Sequence, residues 1–567
     1  MKPGYAEFNC NTLHVDLAEI HNGLVTSTGT ALTGADLLVD ALHTCGVKVV
    51  FGLPGVQLDP AFDALARRSD QIHVYHTRHE QATSYMADGY ARASGELGCC
   101  LVVPGPGLLN AMSGLATAHA CSSSVLCVAG QIPSDQIDSG RGLLHEIPHQ
   151  LEMVRSVVKW SGRALRPDEL PGLVAEAVNQ TRTGRPRPVA IEVPPDVLEA
   201  LTDDTPATVN PTGGRPGGDY MMLEQMASLL GRAERPLIVA GGGVLQSGAW
   251  DELAEVAERL QAPVLLSGNA KGAMSARHPL TFEGLTAPHL VKAADVILAV
   301  GTRFTTGIGS RWRLQPHQRL LRIDADPEEL LRDVQPLVAV EADAKPALGL
   351  LADLLVARQA TAWRGLDELR RRSSQELATL EPQASFAAAI RRALPDDAIV
   401  INGITQVGYW CRAGFPVYEP RTFLTAGYQG TLGFELPTGL GAQVARPDRR
   451  VVVVAGDGGF MFNVQELATA VQHDIPVIAV VFNDNGYGNV KRTQRQRFGR
   501  LIASDLHNPD FMKLADAFGL MGVRAQGPEG VAKALVEALD HSGPALIEVP
   551  VGEMDDPWPL LMRMRTT

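Results

Sequence analysis

The stretch VVVVAGDGGFMFNVQELATAVQHDIPVIAVVFNDNGYG, Val451 to Gly488, decides how the chain is read. Its short β-branched opening, Val451 to Ala455, has the character of a buried strand. Gly456-Asp457-Gly458-Gly459 follows, a turn at which no Cβ keeps a ligand away from the backbone. Val464, Leu467, Ala468 and Val471 then fall at helical spacing, and Pro476 ends that pattern. Val477 to Phe482 form a second apolar strand, closed by Asn483-Asp484-Asn485-Gly486. A strand–helix–strand unit implies parallel strands and a right-handed crossover. Both polar clusters then stand at strand carboxyl ends, where open α/β sheets bind ligands.

Asp457 and Asp484 can converge there. Two carboxylates and a backbone carbonyl are hard oxygen donors, suited to a Mg²⁺ ion whose shell is completed by phosphate oxygens. The helix start beside Gly458 and Gly459 adds amide donors for a phosphate. On the Gly-Asp-Gly alone, a structural unit in which Asp457 caps a helix fits about as well.

At 567 residues the chain is too long for one core, and two to four domains are expected. Its 45% apolar and 20% charged residues are ordinary for a globular protein. A net charge of −13 without a basic block argues against nucleic acid and anionic membrane as partners. No apolar run reaches the length of a membrane span. Residues 1–30 lack the basic start and apolar core of a secretory signal and read as an N-terminal extension. The seven cysteines form no CxxC pair, and their odd count points to reduced thiols in a cytoplasmic protein.

Residues 31–200 read as one α/β domain, with strands at Val47–Phe51, Cys99–Val103, Val125–Ala129 and Val189–Val193. Glu80 lies between a strand and a helix. On bare sequence it is as readily an ion-pair partner of Arg78 or Arg92 as a functional acid. Residues 218–355 form a second α/β unit, with a strand that runs into Gly241-Gly242-Gly243 and with Asp324 and Asp326 past its last strand. A lone triple glycine is weak evidence for a nucleotide. Ala362 to Leu380 is charged and helical and reads as a surface linker, and a third domain occupies 383–555.

The motifs taken together resemble the thiamine-diphosphate enzymes of the acetolactate-synthase-like group. Gly-Asp-Gly, 24 residues, then Asn483-Asp484 is similar to that family's metal motif, although many members have Asn where this chain has Asp484. RHEQATSYMADGYARASG, Arg78 to Gly95, is similar to its Arg-His-Glu-Gln segment, PGPGLLNA to its Gly-Pro-Gly loop, and TAGYQGTLGFELP, Thr425 to Pro437, to its glycine-flanked apolar wedge. The resemblance covers nearly everything after residue 30 and implies three doubly wound α/β domains: pyrimidine-binding, central and diphosphate-binding.

The resemblance also implies roles. Glu80 would hydrogen-bond the N1′ atom of the cofactor's aminopyrimidine, and Leu432 would wedge under its two rings. Asp457, Asp484 and the Gly486 carbonyl would hold Mg²⁺. Pro106, Asn110, Gln406, Gly430, Gly456, Gly458, Gly459, Tyr487 and Gly488 would complete the cofactor site. His145 is a candidate proton carrier, with His119 and His149 as rivals. In related enzymes the central domain holds FAD, ADP or nothing, and here it reads as structural. The cofactor would span two subunits, so a homodimer or homotetramer is expected.

Several departures bear on the reaction. Where acetolactate synthases carry a Lys after the last strand of the first domain, this chain has Pro195. Their Gln-Glu is replaced by His145-Glu146, and their RFDDR by Arg303-Phe304-Thr305-Thr306-Gly307. Thr493 stands where they place a Trp. Each lost contact to a carboxylate costs ~1.5–3 kcal/mol, which disfavours pyruvate as a tightly held acceptor. The expected activity is decarboxylation of a 2-oxoacid with transfer of the acyl group to an acceptor carbonyl. The alternatives are a non-ligating decarboxylase or acyl lyase, and a catalytically silent paralogue, against which Glu80, Asp457 and Leu432 argue.

Overall fold

In a computed structural model of the protein, residues 32–202, 215–305 and 310–564 are described. The N-terminal extension lies outside them, as do Thr306 and Gly307. The first domain holds strands β1 (Val49–Gly52), β2 (His73–His76), β3 (Gly98–Val102), β4 (Val125–Gly130), β5 (Trp160–Arg163) and β6 (Val189–Val193). All are parallel, in the order β2-β1-β3-β4-β6-β5. The fully buried members are the largely apolar runs that a sheet covered on both faces demands, with Glu192 of β6 the charged exception. The half-buried edge strand β5 has no such signal and was not anticipated.

The central sheet takes β7 (Pro236–Ala240), β8 (Val264–Leu266), β9 (Thr281–Phe282), β10 (Val296–Val300), β11 (Arg319–Asp324) and β12 (Val338–Glu341) in the order β9-β8-β7-β10-β11-β12. That is the dinucleotide-fold order, with the switch between β7 and β10. The third sheet holds β13 (Ile399–Asn402), β14 (Phe423–Thr425), β15 (Val451–Gly456), β16 (Ile478–Asn483), β17 (Met521–Arg524) and β18 (Ala545–Pro550). Its order, β14-β13-β15-β16-β18-β17, repeats that of the first sheet strand for strand. In both, the order reverses next to the third strand in sequence, which opens a crevice at the carboxyl ends there.

The first and third domains share one apolar core. Helices α1 (Glu80–Ser94) and α2 (Pro106–Cys121) cover the first sheet; Phe51, Tyr85 and Met86 of this domain belong to the same buried cluster as Ile401, Phe434 and Leu440 of the third. A Cβ added at Gly89 would lie 2.1 Å from the Thr438 carbonyl oxygen, and one at Gly441 would lie 1.9 Å from that of Met86. Only glycine permits backbones this close. Arg92 reinforces the seam by donating to the Thr425 carbonyl at 2.8 Å.

Two expectations are corrected. Residues 362–380 do not merely run over the surface: helix α3 (Leu366–Leu377) is preceded by Trp363, which is buried in a central-domain core and donates to the Pro236 carbonyl at 2.9 Å. A large aromatic with a satisfied N–H is a core residue despite charged neighbours. The crossover after β15 is also not one helix. It breaks into α6 (Asp457–Phe460), a single tight turn and α7 (Leu467–Gln472), while α4 (Gln406–Gly414) and α5 (Glu435–Ala445) precede it in the chain.

Candidate active site

At the third-domain switch point, α4 begins with Gln406 just after β13, and Asp457 follows β15 directly. Asp484 follows β16. Asp457 is 2% exposed. Its carboxylate accepts from the Gly486 amide at 3.2 Å and from Asn508 Nδ2 at 2.6 Å, and the same amide of Asn508 donates to Asn483 Oδ1 at 3.0 Å. A Cβ on Gly488 would come within 2.3 Å of Asp484 Oδ2, and one on Gly458 within 2.6 Å of the Tyr487 ring. At these two positions a side chain would have to displace Asp484 or Tyr487. Gln406 is held by Arg492, which donates to its Oε1 at 3.0 Å, and Gly488 opens helix α8 (Gly488–Phe498).

Burial, with the Asp457 carboxylate beside it, pushes Asp484 up to about 6, against the pull of Lys491. The Lys491 ammonium is itself engaged with Asp505 at 2.7 Å. Two close carboxylates, one buried and one half-buried, disfavour each other's ionised form. A divalent ion placed there reverses that balance. Among the described residues no cluster of three or more His, Cys, Asp or Glu side chains forms. Asp457 and Asp484 are hard oxygen donors of the kind that suit Mg²⁺ completed by phosphate oxygens.

Leu432 lies between β14 and α5, flanked by Gly430 and Gly433, both with positive φ (58° and 83°). It is only half-buried and belongs to no core cluster, unlike an ordinary packing leucine. Asn463 Nδ2 fixes the segment by donating to the Gly433 carbonyl at 2.6 Å. Three residues on, Glu435 is 1% exposed, between Gly403 and Gly459. Its Oε1 accepts from the Ile404 amide at 3.2 Å, its Oε2 has no partner among the described residues, and burial pushes the carboxyl up to about 7.

In the first domain Glu80 opens α1. Its Oε2 accepts from Asn110 Nδ2 at 3.0 Å. Neither suggested ion pair forms: Arg78 donates to Gln472, and Arg92 binds Asp88 and the Thr425 carbonyl. Pro106 starts α2 behind Gly105, whose φ is 58°. A Cβ on Gly107 would be 3.6 Å from Glu80 Oε1, so the Pro-Gly-Pro-Gly loop and Glu80 lie together. His145 packs its backbone on Gly105 of the same loop. His119 is beside Arg185 and Arg187, where burial and their charge push it down to about 4, and His149 is exposed near Asp138. No hydrogen bond or ion pair of the described residues links Glu80 to Asp457 or Asp484.

Arg303 stacks on Tyr428 of the third domain, 4.3 Å from the ring centre. In the central domain the triple glycine serves packing: a Cβ on Gly241 would lie 2.1 Å from the Gly301 carbonyl oxygen, and one on Gly243 would lie 2.7 Å from Gly301 Cα. Asn508, Gln57 and Glu435 were missed by sequence reasoning. Asn508 is remote from any motif, and Glu435 sits at a helix start where an exposed acid is ordinary.

A sheet order repeated at both ends of a chain, with a phosphate-suited turn and a carboxylate pair in one copy, defines an α/β enzyme of the diphosphate-cofactor class. Three family models then match: the thiamine pyrophosphate enzyme N-terminal TPP binding domain over residues 32–153, the central domain over 223–351, and the C-terminal TPP binding domain over 403–549. The chain is 35% identical to a probable acetolactate synthase large subunit of Methanocaldococcus jannaschii, covering 91% of this chain and 92% of that protein. It is 30% identical to the acetolactate synthase isozyme 1 large subunit of Escherichia coli (94% and 97% covered). It is also 35% identical to a probable 2-ketoarginine decarboxylase of Pseudomonas aeruginosa (91% and 94% covered). The chain belongs to the thiamine pyrophosphate enzyme family, and it is an enzyme of the carboligase/decarboxylase type.

Proposed function

We propose that the protein decarboxylates a 2-oxoacid with thiamine diphosphate and Mg²⁺ and passes the acyl group to an acceptor carbonyl. When bound, the cofactor supplies an electron sink for the decarboxylation. The observation that carries the reading is the unpaired placement of Glu80, held by Asn110 rather than by an arginine. Such a carboxyl suits a hydrogen bond to the pyrimidine N1′. Asp457, Asp484 and the Gly486 carbonyl would hold Mg²⁺, with Gln406, Gly456, Gly458, Gly459, Tyr487 and Gly488 lining the diphosphate. Leu432 and Gly430 would support the rings, Pro106 and Asn110 would flank the pyrimidine, and His145 would carry a proton.

The Glu80 and Asp457 clusters belong to different domains without a bond between them, which supports a homodimer or homotetramer whose sites lie between subunits. Packing of the triple glycine against Gly301 supports a structural central domain without FAD. The domains are taken as 31–200, 218–355 and 383–555, and the location as cytoplasmic. No helix of the described residues is long and apolar enough to cross a membrane.

One observation favours a second reading, decarboxylation with release of an aldehyde. Arg303 is spent on Tyr428, which leaves it poorly placed to hold an acceptor carboxylate. The test is CO₂ release from a panel of 2-oxoacids by protein supplied with thiamine diphosphate and Mg²⁺, products identified by mass, with Glu80→Gln as control. A ligated product absent in the control supports transfer; free aldehyde alone selects the second reading; no CO₂ from any acid refutes both.

A further inference from the structure

Gln57 lies just past β1, on the loop facing the Pro-Gly-Pro-Gly loop across the first-domain switch point, and it is 6% exposed. Its amide makes two side-chain bonds. Nε2 is 3.2 Å from the Leu144 carbonyl oxygen, and Oε1 is 3.1 Å from His145 Nδ1. The first contact fixes the second. A carbonyl only accepts, so the NH₂ must face Leu144, and the amide oxygen then faces the ring. An oxygen cannot donate, so Nδ1 carries the hydrogen. The neutral imidazole is left with its lone pair on Nε2, which has no partner among the described residues.

The backbone under His145 is equally determined. Its φ is +69°, a left-handed value that a non-glycine residue adopts only when its surroundings impose it. Glu146 draws the loop together by accepting from the amides of Gly140, Gly142 and Leu143. Gly105 packs on the His145 carbonyl, and its own amide donates to Gln150 Oε1 at 2.7 Å. Gln150 in turn donates to the Gly130 carbonyl and to Glu192. The charged groups around the pair are Glu146, taken up by those amides, Glu80 across the loop, and Glu192, paired with Arg163.

We propose that Gln57 is a positioning residue that locks His145 in the Nδ1–H tautomer, so that Nε2 is the atom that accepts and returns a proton. This rests on the reading of the site given above and names the residue that sets His145 to that work. A hydrogen-bonded partner on one ring nitrogen is how proteins choose which nitrogen is available.

The test uses the full chain with ¹⁵N-labelled histidine, the His145 signals being assigned by their loss in His145→Gln. Wild type is expected to show a protonated Nδ1 and a bare Nε2. Gln57→Met, which removes the acceptor at similar volume, is expected to shift population toward the other tautomer. Gln57→Glu, which places a carboxylate beside Nδ1–H, is expected to restore the wild-type tautomer and move the His145 titration upward. With any 2-oxoacid that is turned over, Gln57→Met should lower kcat by about 10–100-fold with KM little changed, and Gln57→Glu should regain activity with its pH profile displaced upward. An unchanged tautomer in Gln57→Met overturns the proposal, as does a pH profile in Gln57→Glu that superimposes on wild type. The spectra need no substrate, so absence of turnover would refute the functional reading without deciding this one.

Discussion

Replacing Glu435 by Gln should make the protein more resistant to unfolding at neutral and alkaline pH than at acid pH. Glu435 is fully buried between Gly403 and Gly459 with one oxygen unpartnered, and burial raises its carboxyl to about 7. In an unfolded chain a Glu titrates near ~4.3. Below that value both states hold the proton, and the acid costs nothing. Between there and about 7 the unfolded chain releases its proton while the native chain keeps it, so native stability falls as pH rises. The loss levels off once the native carboxyl also ionises. A raise of this size corresponds to about 3 kcal/mol. Gln keeps the acceptor for the Ile404 amide and fills a similar volume, but it does not titrate. Melting temperatures of the two proteins without cofactor, measured at pH 5 and pH 8, should therefore show an advantage for the variant that grows by several degrees. A difference that stays constant across that range would refute the assignment of Glu435 as a buried neutral acid.

At the carboxylate pair, Asp484→Asn should retain Mg²⁺-dependent thiamine diphosphate binding within about tenfold, because an oxygen donor remains, whereas Asp457→Ala should lose at least about a hundredfold; equal losses in calorimetry would refute the importance of the retained oxygen donor. Asn508→Leu removes the bonds to Asp457 and Asn483 and should cost about 1–3 kcal/mol of stability, together with weaker Mg²⁺ binding; an unchanged Mg²⁺ titration would show that Asn508 does not organise the pair. Gly441→Ala places a methyl group 1.9 Å from the Met86 carbonyl oxygen and should destabilise by more than about 3 kcal/mol, visible as a lowered melting temperature; a wild-type melt would mean that the helices separate freely.

Much of the fold was legible because buried parallel strands leave continuous apolar runs, and all six of the strands read from such runs in the first and third domains recur within two residues, among them Val125–Gly130, Val189–Val193 and Val451–Gly456. Strands without that signature were missed: Thr281–Phe282 is two residues long, and Met521–Arg524 is an edge strand only half-buried. Helix spacing after Asp457 suggested one crossover helix, but Asn463 turns its side chain to the Gly433 carbonyl and the helix breaks there. At the site, residues on glycine-rich loops could be found from sequence because glycine at a strand end has few other uses. Asn508 and Gln57 could not, since an amide that orients another side chain has no local pattern. The sequence left Glu80 undecided between an ion pair and a free acid. That question turned on where Arg78 and Arg92 reach, which is a matter of tertiary distance.

The apolar core shared by the first and third domains also sets the order in which the chain can mature. The face of α1 that carries Met86 and Gly89 is covered by α5. Translation adds about 5–20 residues per second, so several hundred residues, including the whole central domain with its separate core, emerge before that cover exists. For tens of seconds the nascent first domain therefore presents an uncapped hydrophobic surface outside the ribosome, a window in which chaperones have a binding site that the finished protein no longer offers.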